Sequence, residues 1–197
     1  MTESTLRKTF KKVPMLRTAR LFLRALQLRD AADMYEYAGT SLATRYLSWL
    51  PYPNLDTAKI YLSTAKKRYR NGTLYDWAVV DAQSGKMIGT CGFTSFDLKN
   101  NSAEIGYVLN PNYWGKGLMA EAVRAVLLFG FEKLNLQRIE AKYFTENRQS
   151  RRVMDKVGMR FEGIARQSFL CHGNYMDLGV CAILRDEFYK RNEGTFL

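Results

Sequence analysis

Ala103-Glu-Ile-Gly-Tyr-Val-Leu-Asn-Pro-Asn-Tyr-Trp-Gly-Lys-Gly-Leu-Met-Ala-Glu-Ala122 is the stretch on which the reading of this chain turns. Ala103 to Leu109 alternates and is rich in β-forming residues, and Asn110-Pro111 ends that run. A short loop holding Gly115 and Gly117 follows, then a helical pattern from about Met119 to Leu134. A strand, a glycine-bearing loop and a helix N-terminus together make an anion pocket. Orphan N–H groups point out of the first helical turn, and the helix dipole adds about half a positive charge there. Glycine lets a phosphate come close where a Cβ would block it, and Lys116 adds a formal charge. This is the chemistry of a diphosphate cradle. A turn that merely starts a helix has the same residues, so the loop alone leaves both readings open. Two commoner cradles are excluded. No Lys-Ser or Lys-Thr follows at the phosphate-loop offset, and the dinucleotide fingerprint needs a third glycine and an acidic residue about 20 positions on.

Outward from this stretch the chain reads as one mixed α/β domain. Leu16 to Leu26 alternates as a first strand, and Arg29 to Gly39 is a short helix. Leu42 to Pro53 is aromatic and proline-bearing, a short helix followed by an irregular segment. Asn54 or Asp56 caps a helix that runs to about Arg70 and stops at Asn71-Gly72. Tyr75 to Asp81 and Met87 to Leu98 are strands about an Ala82-Gln-Ser-Gly85 turn. Beyond the motif helix come a strand (Gln137 to Phe144), a helix (Asn147 to Lys156) and a last hairpin, Phe161 to Cys171 with Tyr175 to Leu184. The order is β-α-α-β-β-β-α-β-α-β-β, a mixed central β-sheet with helices on both faces. Residues 1–13 carry Arg7, Lys8, Lys11 and Lys12 with little apolar pattern and read as a mobile or loosely docked basic N-terminal tail, ahead of a domain over 14–190.

Composition bounds the function. At 197 residues, 47% of them hydrophobic, the chain is large enough for a real core and is not a disordered class. No apolar run approaches the ~20 residues of a membrane span, and no apolar leader opens the chain, so a cytoplasmic protein without membrane contact is expected. Cys91, Cys171 and Cys181 lack metal-like spacing and read as buried thiols, with no metal site. The net charge of +11 favours polyanionic partners, which include a nucleic acid or a phosphate-rich cofactor.

Trp114-Gly-Lys-Gly-Leu-Met119 resembles the acetyl-CoA signature of the GNAT N-acetyltransferases, whose loop takes the CoA pyrophosphate on backbone amides. Trp114 stands where Gln or Arg is usual, and Met119 where a small residue is usual. The Ala-Glu-Ile-Gly-Tyr start resembles the RimJ/RimL-type branch, the ribosomal-protein N-terminal acetyltransferases. Thr18 to Arg24, Leu136 to Ala141, Asn147 to Val153, Lys156 to Met159 and Glu162-Gly163 resemble further elements of that branch, in order, over most of the chain. The resemblance implies the GNAT fold and acetyl-CoA as cosubstrate. It implies that Tyr107, Val108 and Leu109 run beside the pantetheine arm, that Gly115, Lys116, Gly117, Leu118, Met119 and Ala120 form the pyrophosphate cradle, and that Asn147 binds the pantetheine amide while capping its helix.

Acetyl transfer to an amine needs a held donor, a neutral amine, a stabilised oxyanion and a proton for the thiolate. Glu104, the only carboxylate between Asp97 and Glu121, is the candidate general base. Ser150, three residues from Asn147 and on the same helix face, is the candidate partner of the thiolate. Many relatives carry a Tyr seven residues after the Asn, where Met154 stands here. Others carry a Glu at the places of Lys142 or Ser168. His172 is the only histidine, and its place beside Gly173-Asn174 is better explained by a turn. Tyr46, Trp49 and Tyr52 either line the acceptor cleft or belong to the core.

The leading expectation is an acetyl-CoA-dependent acyltransferase acting on a primary amine, with the N-terminal amine of a ribosomal protein as acceptor and association with the ribosome as a consequence. Two alternatives stand beside it. One is an acetyltransferase for a polyamine, amino sugar or aminoglycoside, for which Asp56 and Asp76 supply few acidic groups. The other is a non-catalytic CoA- or nucleic-acid-binding module. A homodimer is compatible with all three.

Overall fold

A computed structural model describes residues 2–192. Eight strands form one sheet, β1 (Leu16–Arg17), β2 (Leu21–Arg24), β3 (Tyr75–Asp81), β4 (Met87–Asp97), β5 (Ser102–Leu109), β6 (Arg138–Phe144), β7 (Arg160–Cys171) and β8 (Asn174–Leu184). Their spatial order is β1-β2-β3-β4-β5-β6-β8-β7. Every pairing is antiparallel except β5 with β6. Hairpins join β3 to β4, β4 to β5 and β7 to β8, and the parallel step needs a crossover, supplied by α5 (Leu118–Glu132).

The sheet separates two cores. On one face, Leu21, Leu23, Trp77 and Val79 pack under α5, α6 (Arg148–Val157) and α7 (Arg185–Asn192). On the other, Ala78, Val80 and Met87 meet α2 (Ala31–Ala38) and α4 (Leu55–Asn71). The two-residue alternation along β3 therefore assigns successive residues to different cores. Asn54 caps α4 through Thr57 N at 3.1 Å, and Gly72 ends it at a φ of 68°, a conformation that costs glycine nothing.

Three expectations need correction. Residues 3–11 are not a loose tail. They form α1 (Glu3–Lys11), which spaces Leu6 and Phe10 one turn apart and buries both. Phe10 meets the rings of Trp77 at 5.2 Å and Phe129 at 6.2 Å. Burial of each such side chain contributes about 1.5–3 kcal/mol, a pattern that the basic residues between them mask in the sequence. The first strand divides at Thr18–Arg20 into β1 and β2, because those residues turn toward α5. Finally, α7 follows β8 and seats Phe188 against Phe131 at 5.2 Å. The short α3 (Ser41–Thr44) stands where a short helix was expected.

The feature that positions the site is a split in the sheet. Parallel pairing of β5 with β6 covers Ser102 with Arg138, Ala103 with Ile139 and Glu104 with Glu140, then ends. β5 continues against β4 through Gly106 to Leu109, while β6 continues against β8 as far as Phe144 with Leu178. The β6-facing backbone groups of Gly106 to Leu109 are left without a strand partner.

Candidate active site

A cavity of about 580 Å³ opens at this split. Its floor is Tyr107, Val108 and Leu109 of β5, and one end is Gly115, Gly117 and the first turn of α5. The opposite wall is the start of α6, and residues 42–47 close the remaining side.

The loop end is shaped by backbone. Gly115 and Gly117 have φ of 78° and 76°, left-handed values that favour glycine. Gly117 is the N-cap of α5 and offers no capping side chain, so the amides of Leu118, Met119 and Ala120 are left to a ligand. From outside the cleft, Glu121 ties this turn to the β1–β2 connection. It accepts from Thr18 Oγ1 at 2.6 Å and Arg20 Nε at 2.7 Å. Burial opposes ionisation of Glu121, but these bonds outweigh it and keep the carboxyl below its ordinary range. Arg20 also donates to the Lys116 carbonyl at 3.0 Å. Lys116 itself does not line the cavity; its ammonium sits over the Tyr113 ring at 5.1 Å. Trp114, at the Gln/Arg position, donates from its indole to the Leu109 carbonyl at 2.8 Å and so stitches loop to strand.

The α6 wall carries the polar groups. Asn147 caps the helix, its Oδ1 accepting from Ser150 N at 3.1 Å. The Ser150 hydroxyl lies 2.9 Å from the Tyr107 hydroxyl, which also donates to the Ser150 carbonyl at 3.1 Å. Burial pushes the Tyr107 phenol far above its ordinary range, so it stays a proton donor at every physiological pH. Arg148, Arg152 and Lys156 repeat every four residues, all line the cavity, and none is ion-paired among the described residues. The sequence reading missed this stripe, although its four-residue spacing was there to be read. It also missed the hydroxyl of Tyr107, for which only the strand alternation gave a hint.

Glu104 is not brought to the cavity. Its carboxylate holds Lys142 Nζ at 2.7 Å, and Lys142 also reaches Glu140 at 3.3 Å. The Lys142 ammonium is held above its ordinary range by Glu104 first and Glu140 second, with burial opposing. The candidate base is thus engaged at the foot of the split, as the strand register dictates, with Lys142 on the neighbouring strand. Ser168 is exposed on β7 and donates to the Ala165 carbonyl. His172 lies in the β7–β8 turn at a φ of 48°, its Nε2 3.1 Å from the Leu47 carbonyl. It lies outside the cavity lining. Of the aromatic cluster, Tyr46 lines the cavity, whereas Trp49 and Tyr52 meet each other as tilted rings 5.0 Å apart against the α2–α4 core. All three cysteines are free and buried, and no group of potential metal ligands occurs among the described residues.

Comparison with known proteins places this geometry. Residues 20–160 match the family model described as Acetyltransferase (GNAT) domain. A Bacillus licheniformis protein named Uncharacterized N-acetyltransferase p20 is 33% identical over 88% of this chain and 97% of its own length. The Escherichia coli [Ribosomal protein uS5]-alanine N-acetyltransferase is 26% identical over 87% of this chain and 92% of its own. Among solved structures, an acetyltransferase (GNAT family) from Bacillus anthracis superposes with a TM-score of 0.79 at 26% identity, covering 88% of this chain and 99% of that one.

Proposed function

The chain belongs to the GNAT acetyltransferase family, and on that premise we propose that it moves the acetyl group of acetyl-CoA onto the N-terminal amine of a protein, with ribosomal proteins as the acceptor class. The observation that carries the donor half is the single cleft joining a glycine-capped helix N-terminus to a hydroxyl pair. The amides of Leu118, Met119 and Ala120, with Gly115 and Gly117 giving access, take the pyrophosphate, and Lys116 adds charge beside them. The unpaired edge of Tyr107, Val108 and Leu109 receives the pantetheine arm as a strand receives a peptide. The side-chain amide of Asn147 meets the arm from across the cleft. An N–H of that same edge meets the thioester oxygen, where negative charge develops.

The departing thiolate takes its proton from Ser150, whose hydroxyl is held by Tyr107. With its one proton directed to the Ser150 carbonyl at 3.1 Å, the phenol oxygen accepts from the Ser150 hydroxyl and holds it in place. Arg148, Arg152 and Lys156 give the wall a positive field that suits a ligand with several phosphate charges. For the acceptor half, support comes from the E. coli relative, which acts on a ribosomal-protein alanine. No helix among the described residues is long and apolar enough to cross a membrane.

Calorimetry with CoA, together with thiol release from acetyl-CoA in the presence of Ala- and Ser-initiated peptides, spermidine and an aminoglycoside, tests both halves. Micromolar CoA binding with turnover of the peptides is the expected result. No CoA binding overturns the donor half, and turnover confined to spermidine or the aminoglycoside overturns the acceptor half.

A further inference from the structure

With Glu104 held by Lys142, the cleft has a group for the thiolate and none yet for the amine. Asp76 is the carboxylate that stands apart from the ion pairs of the fold. It stands on β3 opposite Gly92 of β4, which in turn stands opposite Gly106 of β5. Directly opposed residues in antiparallel strands share a face, so these three form one row across the sheet on the α2–α4 side. A Cβ on Gly92 would collide with Asp76 Oδ1, so the carboxylate leans across β4 over a bare backbone. One strand spacing further, roughly 5 Å, lies Gly106, where β5 has just lost its pairing with β6. Asp76 itself stands outside the cavity lining, and a Cβ on Gly106 would meet the Thr94 methyl at 2.8 Å, so Thr94 borders the way from Asp76 to the split. Val108, next on this face, lines the cavity and packs against the same core as Trp49 and Tyr52.

No hydrogen bond or ion pair from the described residues ends on the Asp76 carboxylate. The groups facing it are Tyr61, Arg68 and Tyr69 of α4 and Tyr37 of α2, with Cys91 behind it on β4. Arg68 acts on it through space while stacking on the Tyr61 ring at 5.3 Å. The Tyr69 hydroxyl donates to the Asp76 carbonyl at 2.7 Å rather than to its carboxylate. A carboxylate left without donors, over the bare backbone of Gly92 and partly open to solvent, is arranged for a ligand proton rather than for a structural bond. Burial raises its pKa to about 7, with Arg68 opposing, which is where a general base works best at neutral pH.

We propose that Asp76 is the general base of the acetyl transfer, receiving protons from the acceptor amine on the α2–α4 face while the Ser150–Tyr107 pair serves the thiolate on the α6 face. The inference rests on the acetyl-transfer reading above. Asp76 takes one proton from the ammonium and passes it to solvent. The nitrogen lone pair attacks the thioester carbon, forming the C–N bond, and the C–S bond breaks as the tetrahedral intermediate collapses. The second nitrogen proton goes to Asp76, and the sulfur gains one through Ser150, which solvent refills. The nitrogen loses two protons, the thiol keeps one and bulk water receives the other.

Asp76→Asn keeps the shape and removes the charge. With an Ala-initiated peptide as acceptor, it is expected to lower kcat/KM about 10²-fold or more at pH 7. It should also remove the acid limb centred near pH 7 in the wild type and leave the calorimetric CoA affinity unchanged. A second readout needs no acceptor. A carboxyl whose folded pKa is raised destabilises the native state as pH climbs from the unfolded value, near 4, through about 7. The Tm of Asp76→Asn relative to wild type should therefore rise between pH 5 and pH 8. A flat Tm difference, or an acid limb that persists in Asp76→Asn and disappears in Glu104→Gln, overturns the proposal. If the wild type binds no CoA, it is the underlying acetyl-transfer reading that fails.

Discussion

On the donor side of the cleft the working groups are backbone: the unpaired edge of Gly106 to Leu109 and the bare amides above Gly117. On the acceptor side they are side chains gathered from distant segments, with Tyr46 before α4, Asp76 on β3, and the β7–β8 turn touching Leu47 through Cys171 and His172. A backbone site demands particular residues at particular spacings, because only glycine adopts these φ values freely and only a helix start leaves amides unpaired. A side-chain site can be assembled from any elements that the fold brings together. A glycine substitution in the donor site should therefore weaken CoA binding, whereas loss of a working side chain on either side should cost rate and spare CoA affinity.

The largest effect expected on the donor side is at Ser150. Ser150→Ala keeps the helix and the Asn147 cap but takes away the proton source of the thiolate, so kcat should fall about 10²-fold. CoA affinity should hold within a factor of about two, since the lost bond matters when the thiolate forms. Tyr107→Phe should lower kcat by less, because Ser150 keeps its own hydroxyl. Steady-state kinetics beside CoA calorimetry separates the two, and a Ser150→Ala enzyme with the wild-type kcat removes the hydroxyl pair from the chemistry.

Next in size is a property of the acceptor side. If the acceptor is presented on or near the ribosome, the chain's +11 charge should give association that weakens with salt. Three phosphate contacts would cost about 40-fold between 50 and 200 mM salt through counterion release. Because Leu6 and Phe10 dock α1 into the core, deleting residues 1–13 would expose apolar surface. Substituting the exposed Lys8, Lys11 and Lys12 by Gln is the cleaner variant. Co-sedimentation with ribosomal particles across a salt series measures the slope, and no binding even at 50 mM salt ends the ribosomal reading.

Gly117→Val comes third. The left-handed φ of 76° strains a β-branched residue by roughly 1–2 kcal/mol, and its methyls would stand where the pyrophosphate approaches. CoA affinity should drop about tenfold or more, with little change in the pH profile of residual turnover. Unchanged CoA affinity in a folded Gly117→Val protein would remove the cradle.

The contrast between the two sides also explains what could be read from residues alone. Asn54, Gly72 and Gly158 marked helix ends by local chemistry, and the structure has Asn54 capping α4 and both glycines at left-handed φ. The α5 turn was legible for the same reason. What escaped notice depends on long-range packing. The basic residues of α1 hide a buried Leu6–Phe10 pair, and the burial of Phe188 in α7 depends on Phe131, which lies on the distant α5. Glu104 was chosen for being the only carboxylate on its strand, but register sets Lys142 within reach, a fact that lies in β6 and not in β5. In the sequence Asp76 is only one of two scattered acids of the acceptor-side segment, with Asp56. Its standing comes from Gly92 and Gly106, residues 16 and 30 positions away by difference of their numbers, which no local window joins.

The smallest effect, and the one that most sharpens the comparison, is expected at Glu104. A half-exposed ion pair of this kind contributes about 0–1 kcal/mol, so Glu104→Gln should lower stability slightly. It should change kcat/KM less than about threefold, because the freed Lys142 still has Glu140 within 3.3 Å. The pH dependence has a definite sign. Glu104 raises the Lys142 pKa, and that stabilisation is fully present below the unfolded lysine value and lost only as pH rises through the raised one. Removing Glu104 should therefore narrow the alkaline end of the stability range and leave the neutral limb of catalysis in place. Were Glu104→Gln to abolish turnover while Asp76→Asn spared it, proton abstraction would belong at the foot of the split, and the acceptor amine would have to displace Lys142 to reach it. A pH–rate profile and a thermal melt of each variant, measured side by side, decide between these geometries.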